Sequence, residues 1–454
     1  MARTIDVGQL IEQGPLGAFQ KGLLAWLCVL MTVEGFDMQV MAYAAPSVLK
    51  EWGLDRASFG PVLSASLFGY MMGAFVLGAA ADRLGRKVII LTGLALFGVF
   101  TLIAPLADSP TTLMALRFLA GLGLGAAVPT GVAMNAEYMP IRVRATAIGL
   151  MYVTYNIGAA GGGFLSGWII PSFGWRAIFV IGGIAPLVLA LLMAFSLSES
   201  VRFLILKGGR VAKTEAILRK LAPQLEFGPG DQLVIAHEER HVASPLKLFT
   251  DNRAAMTLVL WIAIITSFMG HHFLTNWLPT VLSDAGFSLS NSVIIGGLFP
   301  LGGALGSFAV GRALDKGGLK MVALSFLISA PFVVLIGQTT ALGGAAGLVV
   351  FLAGFFVLGG QLGLNASAAT LYPTFLRSTG AGWALGIGRV GSIMGPIVGG
   401  ILITSGISHP LLFLVAACPM VVCAISIVFL QRAKAAAQSA DARLKPAAAA
   451  SQGA

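Results

Sequence analysis

The sequence is short of charge. Asp, Glu, Lys and Arg make up only 11% of its 454 residues, against about 25% in a typical soluble domain. It is also short of cysteine. Cys28, Cys418 and Cys423 all lie in apolar runs, without metal-ligand spacing or a disulfide framework, and read as small buried hydrophobes. It lacks a phosphate-binding Walker loop, zinc and haem ligand patterns and any catalytic-triad spacing. ATP-driven work and enzymatic chemistry therefore have no site, and neither metal nor cofactor is implied. A cleavable signal peptide is not expected. The chain is polar up to Lys21, and its first apolar run is too long and too acidic for an h-region. The 58 glycines follow no collagen-like period and suit close helix packing in a bilayer.

What is present is apolar sequence, 57% of the chain. A membrane helix needs about 20 apolar residues. Runs of that length fall at roughly 22–45, 58–81, 88–107, 111–137, 146–170 and 176–198, and again at 254–283, 290–312, 321–339, 342–371, 379–404 and 409–430. The fold class predicted is an all-α membrane protein with twelve transmembrane helices in two pseudo-symmetric six-helix bundles. The predicted division is a tail at 1–21, a bundle at 22–198, a central loop at 199–253, a second bundle at 254–431 and a tail at 432–454. Within the loop, Val211–Leu221 reads as a short amphipathic surface helix.

The net charge of +10 does not describe a nucleic-acid surface, because the basic residues sit in short clusters between apolar runs. If both termini are cytoplasmic, 24 of the 29 Lys and Arg residues fall on that side and 3 on the other. This is the bias that orients membrane proteins.

The halves repeat. Gly78-x-x-x-Asp82 before Lys87 recurs as Gly311-x-x-x-Asp315 before Lys320, an offset of 233 residues. The same offset carries Pro46 to Pro279, Gly53 to Gly286, Pro140 to Pro373, Arg144 to Arg377 and Gly149 to Gly382. One offset held across five spans predicts a six-span unit duplicated in parallel orientation.

Gly78-Ala-Ala-Ala-Asp82-Arg83-Leu-Gly85-Arg86-Lys87 resembles the loop 2–3 motif of the major facilitator superfamily. Arg117-Phe-Leu-Ala-Gly121-Leu-Gly123-Leu-Gly125 resembles its span-4 motif. Ser198-Glu199-Ser200-Val201-Arg202-Phe203-Leu204 resembles its span-6 exit motif, with serine and valine in place of prolines. Within the superfamily the chain is most similar to the aromatic acid:H⁺ symporters, through Glu34-Gly-Phe-Asp37, Asn135-Ala-Glu137-Tyr-Met-Pro140, Asn276-Trp-Leu-Pro279 and Gly386-Ile-Gly-Arg389-Val-Gly391. Many members begin the first of these motifs with Asp, where this chain has Glu34. The resemblance implies uptake of a small aromatic carboxylate with protons, by a monomer in a bacterial inner membrane, with both termini cytoplasmic and no nucleic-acid partner.

Glu34 and Asp37 stand three apart in the first span and share a helix face. Acids at that depth default to ion or proton paths, with hydrogen bonding to neighbouring helices as the plainer alternative. For Arg117 the resemblance implies proton transfer or pairing with a first-span acid, and a purely structural lock is an equal reading. Arg389 offers a planar fork for a carboxylate, or an ion pair with a first-span acid. The repeat matches it to Asn156. His271 and His272 are adjacent and face different ways, so at most one lines a cavity, and His271 is the candidate. Gln361 and Asn365 share a face and suit either a ring hydroxyl or interhelical bonds. Tyr155 and Trp277 could stack on an aromatic ring or simply pack. Gly78, Asp82, Arg83, Arg86, Glu137, Arg144 and Asp315 read as gating residues whose ion pairs hold one state and break on switching, with orientation by positive charge as the alternative. Two other readings stay open: a porter for another solute, such as a sugar, an aliphatic or muconate-like acid, or an exported compound, and a membrane receptor that binds without moving its ligand.

Overall fold

The structure, a computed structural model, describes residues 4–207, 211–222, 232–235, 244–251, 253–338, 343–373 and 376–451. The basic residues Arg210 and Arg240 of the predicted central loop lie outside the described residues. The chain runs α1 (Val7–Gln13), α2 (Ala18–Trp52), α3 (Arg56–Leu84), α4 (Arg86–Ile103), α5 (Pro110–Tyr138), α6 (Ile141–Phe173), α7 (Trp175–Ser196), α8 (Val201–Leu206) and α9 (Val211–Leu221). It continues as α10 (Ala254–Asp284), α11 (Leu289–Gly317), α12 (Leu319–Ile336), α13 (Ala346–Leu371), α14 (Arg377–Thr404) and α15 (His409–Ser451).

Among the described residues, eleven helices are long and apolar enough to cross a membrane. The protein is a multi-pass membrane protein. The twelfth predicted span lies in α6, whose 33 residues include Arg142, Arg144, Asn156 and six glycines and which is not among those eleven. The amphipathic helix predicted at Val211–Leu221 is α9, and it buries Ile217 and Leu218 against the core of the first unit.

Two features depart from the sequence expectations. The first 21 residues are not merely a polar tail. They hold α1, capped by the Asp6 carboxylate on the Gly8 amide at 2.9 Å, and the start of α2. Among the described residues there are also two three-residue strands. β1 (Thr4–Asp6) pairs in parallel with β2 (Gln232–Val234), with Ile5 opposite Leu233.

The duplication is written into the element boundaries. Adding 233 to the limits of α3 and α4 returns those of α11 and α12 to the residue. Gly53 and Gly286 end matching helices in the left-handed region, at φ 63° and 95°; Gly85 and Gly318 start matching helices at φ 106° and 63°. Side chains with a Cβ rarely adopt that conformation.

The chain divides into two compact units, Met1–Ala44 with Ala65–Arg240, and Ala45–Ser64 with His241–Ala454. In the first unit, α2 meets α6 where Gly158 faces the Thr32 backbone and Gly35 faces the Tyr155 carbonyl; a Cβ at either would overlap that backbone. In the second unit, α10 meets α14 in the same way, with Gly391 against Ile265, the positions reached from Gly158 and Thr32 by the same offset. The contacts of Gly69 with Phe118 and of Gly302 with Phe351 form a second matched pair. Small residues at crossings let membrane helices approach and pack by van der Waals contact. Residues 45–64 join the second unit through specific bonds: Arg56 Nη2 reaches Asp284 Oδ1 at 2.6 Å, the Ala57 amide donates to Thr404 Oγ1 at 2.9 Å, and the Ser64 hydroxyl donates to the Ile393 carbonyl at 2.7 Å.

Candidate functional site

Glu34 and Asp37 reach the interior of the first unit because Gly35 and Gly158 bring α2 onto α6. Asp37 has no exposed surface and Arg117 only 1%. Arg117 Nη2 donates to Asp37 Oδ2 at 2.6 Å and Nη1 to Oδ1 at 2.9 Å, a two-pronged ion pair between α2 and α5. Thr101 of α4 completes it. Its hydroxyl donates to Asp37 Oδ1 at 3.3 Å and accepts from Arg117 Nη1 at 3.3 Å. The guanidinium also lies 5.7 Å from the centre of the Phe179 ring, within cation–π range. Glu34 is buried too, at 5% exposed. The charge facing Asp37 is thus the Arg117 cation, rather than its neighbour Glu34. Asn156 is buried and donates from its amide to the Tyr152 carbonyl at 3.2 Å; Tyr155 is half-buried at the α2–α6 crossing.

In the second unit α10, α13 and α14 converge on another polar cluster. The His271 and His272 rings stack at 4.5 Å. Gln361 and Arg389 lie near His271, and Arg389 lies near His272 as well. The Arg389 guanidinium stands 5.9 Å from the centre of the Phe268 ring, and Phe299 stacks on His271 at 6.3 Å. Several buried polar atoms on these three helices lack a hydrogen-bond partner: His271 Nδ1, Asn365 Oδ1, Thr275 Oγ1, Ser267 Oγ and Ser392 Oγ. Buried polar groups are normally satisfied, and His271 Nδ1 is such an orphan beside a cation and two aromatic faces. Trp277 is placed differently. It is fully buried, and its indole N–H donates to the Pro396 carbonyl at 2.8 Å, which makes it part of the α10–α14 packing.

A third cluster lies at the ends of α3 and α5. Arg86 is only 7% exposed. It donates to Asp82 Oδ1 at 2.7 Å, to Glu137 Oε1 at 3.1 and 3.2 Å, and to the Ala81 carbonyl at 3.1 Å. Glu199 Oε1 accepts the amides of Arg86 and Lys87 at 2.8 and 3.1 Å, so a carboxylate caps the start of α4, where the helix dipole favours it. The Ser200 hydroxyl donates to Glu137 Oε2, and the Tyr138 hydroxyl donates to the Glu199 carbonyl at 2.6 Å. Arg144 pairs with Glu12 of α1 at 3.1 Å. Arg83 and Asp315 are exposed and make no ion pair among the described residues. Gly78 has open space around its Cα. Sequence reasoning named Asp82, Arg86 and Glu137 but missed Thr101, Tyr138, Ser200 and Glu12. The span-6 motif that holds Glu199 and Ser200 was the one available signal.

The sequence matches the Major Facilitator Superfamily profile over residues 27–391. The chain belongs to this superfamily. Its curated relatives include a 4-hydroxybenzoate transporter from Acinetobacter baylyi, 37% identical over 93% of this chain and 94% of that one. A gallate transporter from Pseudomonas putida is also 37% identical, over 93% and 94% of the two chains. A benzoate transport protein from Acinetobacter baylyi is 32% identical over 93% and 91%. The solved xylose transporter of Escherichia coli shares the fold, with a TM-score of 0.69 at 17% identity over 90% of this chain and 97% of that one. The superfamily fold and the character of these relatives make the chain a membrane transporter rather than an enzyme.

Proposed function

We propose that this protein imports a small aromatic carboxylate together with protons by alternating access, as a monomer in a bacterial inner membrane with both termini in the cytoplasm. The observation that carries the substrate class is the second-unit cluster. A permanent cation, Arg389, stands near two histidines, the Phe268 and Phe299 rings and the unpartnered polar atoms of His271 and Asn365. A guanidinium takes a carboxylate, ring faces take a ring, and His271, Gln361 and Asn365 take ring hydroxyls. The relatives that carry 4-hydroxybenzoate, gallate and benzoate support the same reading.

Proton coupling falls to the first unit. Neutralising Asp37 removes the partner of a fully buried Arg117, and an uncompensated buried charge destabilises the arrangement that holds it. Proton arrival at Asp37, with Glu34 beside it on α2, is thereby linked to a rearrangement of α2, α4 and α5. A proton moving inward gains about 2.3 kcal/mol per 100 mV and a monovalent anion loses the same, so the pH gradient and any second proton drive accumulation. The rim residues Asp82, Arg86, Glu137 and Arg144 hold one state and part on switching.

Proteoliposomes carrying Asp37→Asn test this. The variant should keep exchange of labelled 4-hydroxybenzoate between equal pools and lose accumulation driven by an inward pH gradient. Accumulation at the wild-type level in this variant would remove Asp37 from the coupling path.

A further inference from the structure

Beside the rim cluster, α1 covers a second cavity of about 280 Å³. It lies on the face that carries the basic residues, the cytoplasmic face in the orientation proposed above. Its floor is apolar, formed by Val7 and Ile11 of α1, Ala136 of α5 and Val201 of α8. Its wall is charged, with Glu12, Glu137, Arg144 and Arg202. Both acids are already engaged. Glu137 accepts from Arg86 through one oxygen and from Ser200 through the other, and Glu12 holds Arg144 at 3.1 Å. Arg202 makes no ion pair or hydrogen bond among the described residues and is half-buried. Among the described residues, Arg202 is therefore the lining guanidinium without an acid, beside an apolar floor with room for a single small ring.

We propose that this cavity is a second site for a small aromatic carboxylate, distinct from the Arg389 cluster, through which acid on the basic face slows the carrier. This rests on the proposed function for the ligand's identity. The carboxylate pairs with Arg202 and the ring lies against Val7, Ile11 and Ala136. A ligand there ties α1 to α5 and α8 and packs beside Glu137, whose other contact is the Arg86 hub. A ligand that favours one arrangement of a two-state element shifts the population toward it, so occupancy holds the rim closed and turnover falls.

Equilibrium dialysis of labelled benzoate against the purified full chain tests the site. The wild type should show two classes of site. Arg202→Gln should remove one, Arg389→Gln the other. Ala136→Phe, which fills the cavity without touching a charge, should repeat the Arg202→Gln result. In vesicles oriented with the basic face inward, benzoate loaded inside should slow the initial uptake of the wild type several-fold. It should leave Arg202→Gln uninhibited, its rates in loaded and unloaded vesicles equal. A single class of site, lost in Arg389→Gln and intact in both cavity variants, overturns the proposal and leaves the transport reading standing. Binding sensitive to Arg202→Gln and Ala136→Phe without uptake by the wild type sustains the cavity and rejects the transport reading. Absence of saturable binding overturns the cavity outright.

Discussion

Asp37 and Arg117 are the pair on which the first unit turns, and neither carries exposed surface to speak of. Removing one partner of a buried ion pair typically destabilises by about 3–5 kcal/mol, while replacing both by neutral groups is far milder. Arg117→Ala should therefore lower the melting temperature in detergent sharply. The double variant Arg117→Met with Asp37→Leu should recover most of that loss and still fail to couple transport to pH. Equal melting temperatures for Arg117→Ala and wild type would show that the pair does not hold α2 to α5. At this scale the sequence showed the acids and their spacing. It did not show that Thr101 of α4 closes the pair, because a threonine in an apolar helix has the same local pattern whether it bonds its own backbone or a distant carboxylate. It also left Trp277 open between stacking on a ring and packing, and the structure uses its N–H to fasten α10 to α14.

Helix crossings are set by glycines that stand at the same place in both copies. Gly158 presses on Thr32 and Gly391 on Ile265. Forcing a side chain into such a crossing displaces backbone rather than a flexible tip, and overpacking of this kind costs about 1–3 kcal/mol or more. Gly158→Leu and Gly391→Leu should each abolish a monodisperse peak in size-exclusion chromatography. Gly161→Leu, one turn along α6 and facing open space, should run as wild type, with a change within about 0.5 kcal/mol. Element positions were readable beforehand, since hydropathy and the 233-residue repeat are properties of the chain itself. The two exceptions are instructive. α1 stands in what reads as a polar tail, because the Asp6 cap and the burial of Val7 and Ile11 in the first unit's core hold it. β1 and β2 are too short to carry a periodic signal and form only because a distant strand is there to pair with.

Across the whole molecule the duplication is faithful in backbone and unfaithful in charge. Asp82 and Asp315 correspond, yet Asp82 meets Arg86 while the residue matching Arg86 is Leu319 and Asp315 has no ion pair among the described residues. The buried acid–arginine pair stands in the first unit and the Arg389 cluster in the second. Glu137→Gln should therefore cut the rate of uptake at least tenfold with little change in substrate binding, while Asp315→Asn should keep uptake within about twofold of wild type. Equal losses in the two variants would make the rim symmetric in function and reject this division.

The sequence by itself determined the apolar spans, the charge bias between their ends and the parallel duplication, because each is a sum or a periodicity along the chain. The tertiary structure decided which acid meets which cation. Asp37 and Arg117 lie 80 positions apart, and their meeting depends on the rotation and crossing of α2 and α5, which glycine contacts with other helices set. Spacing along a helix says which side chains share a face. Only packing says what that face is turned toward.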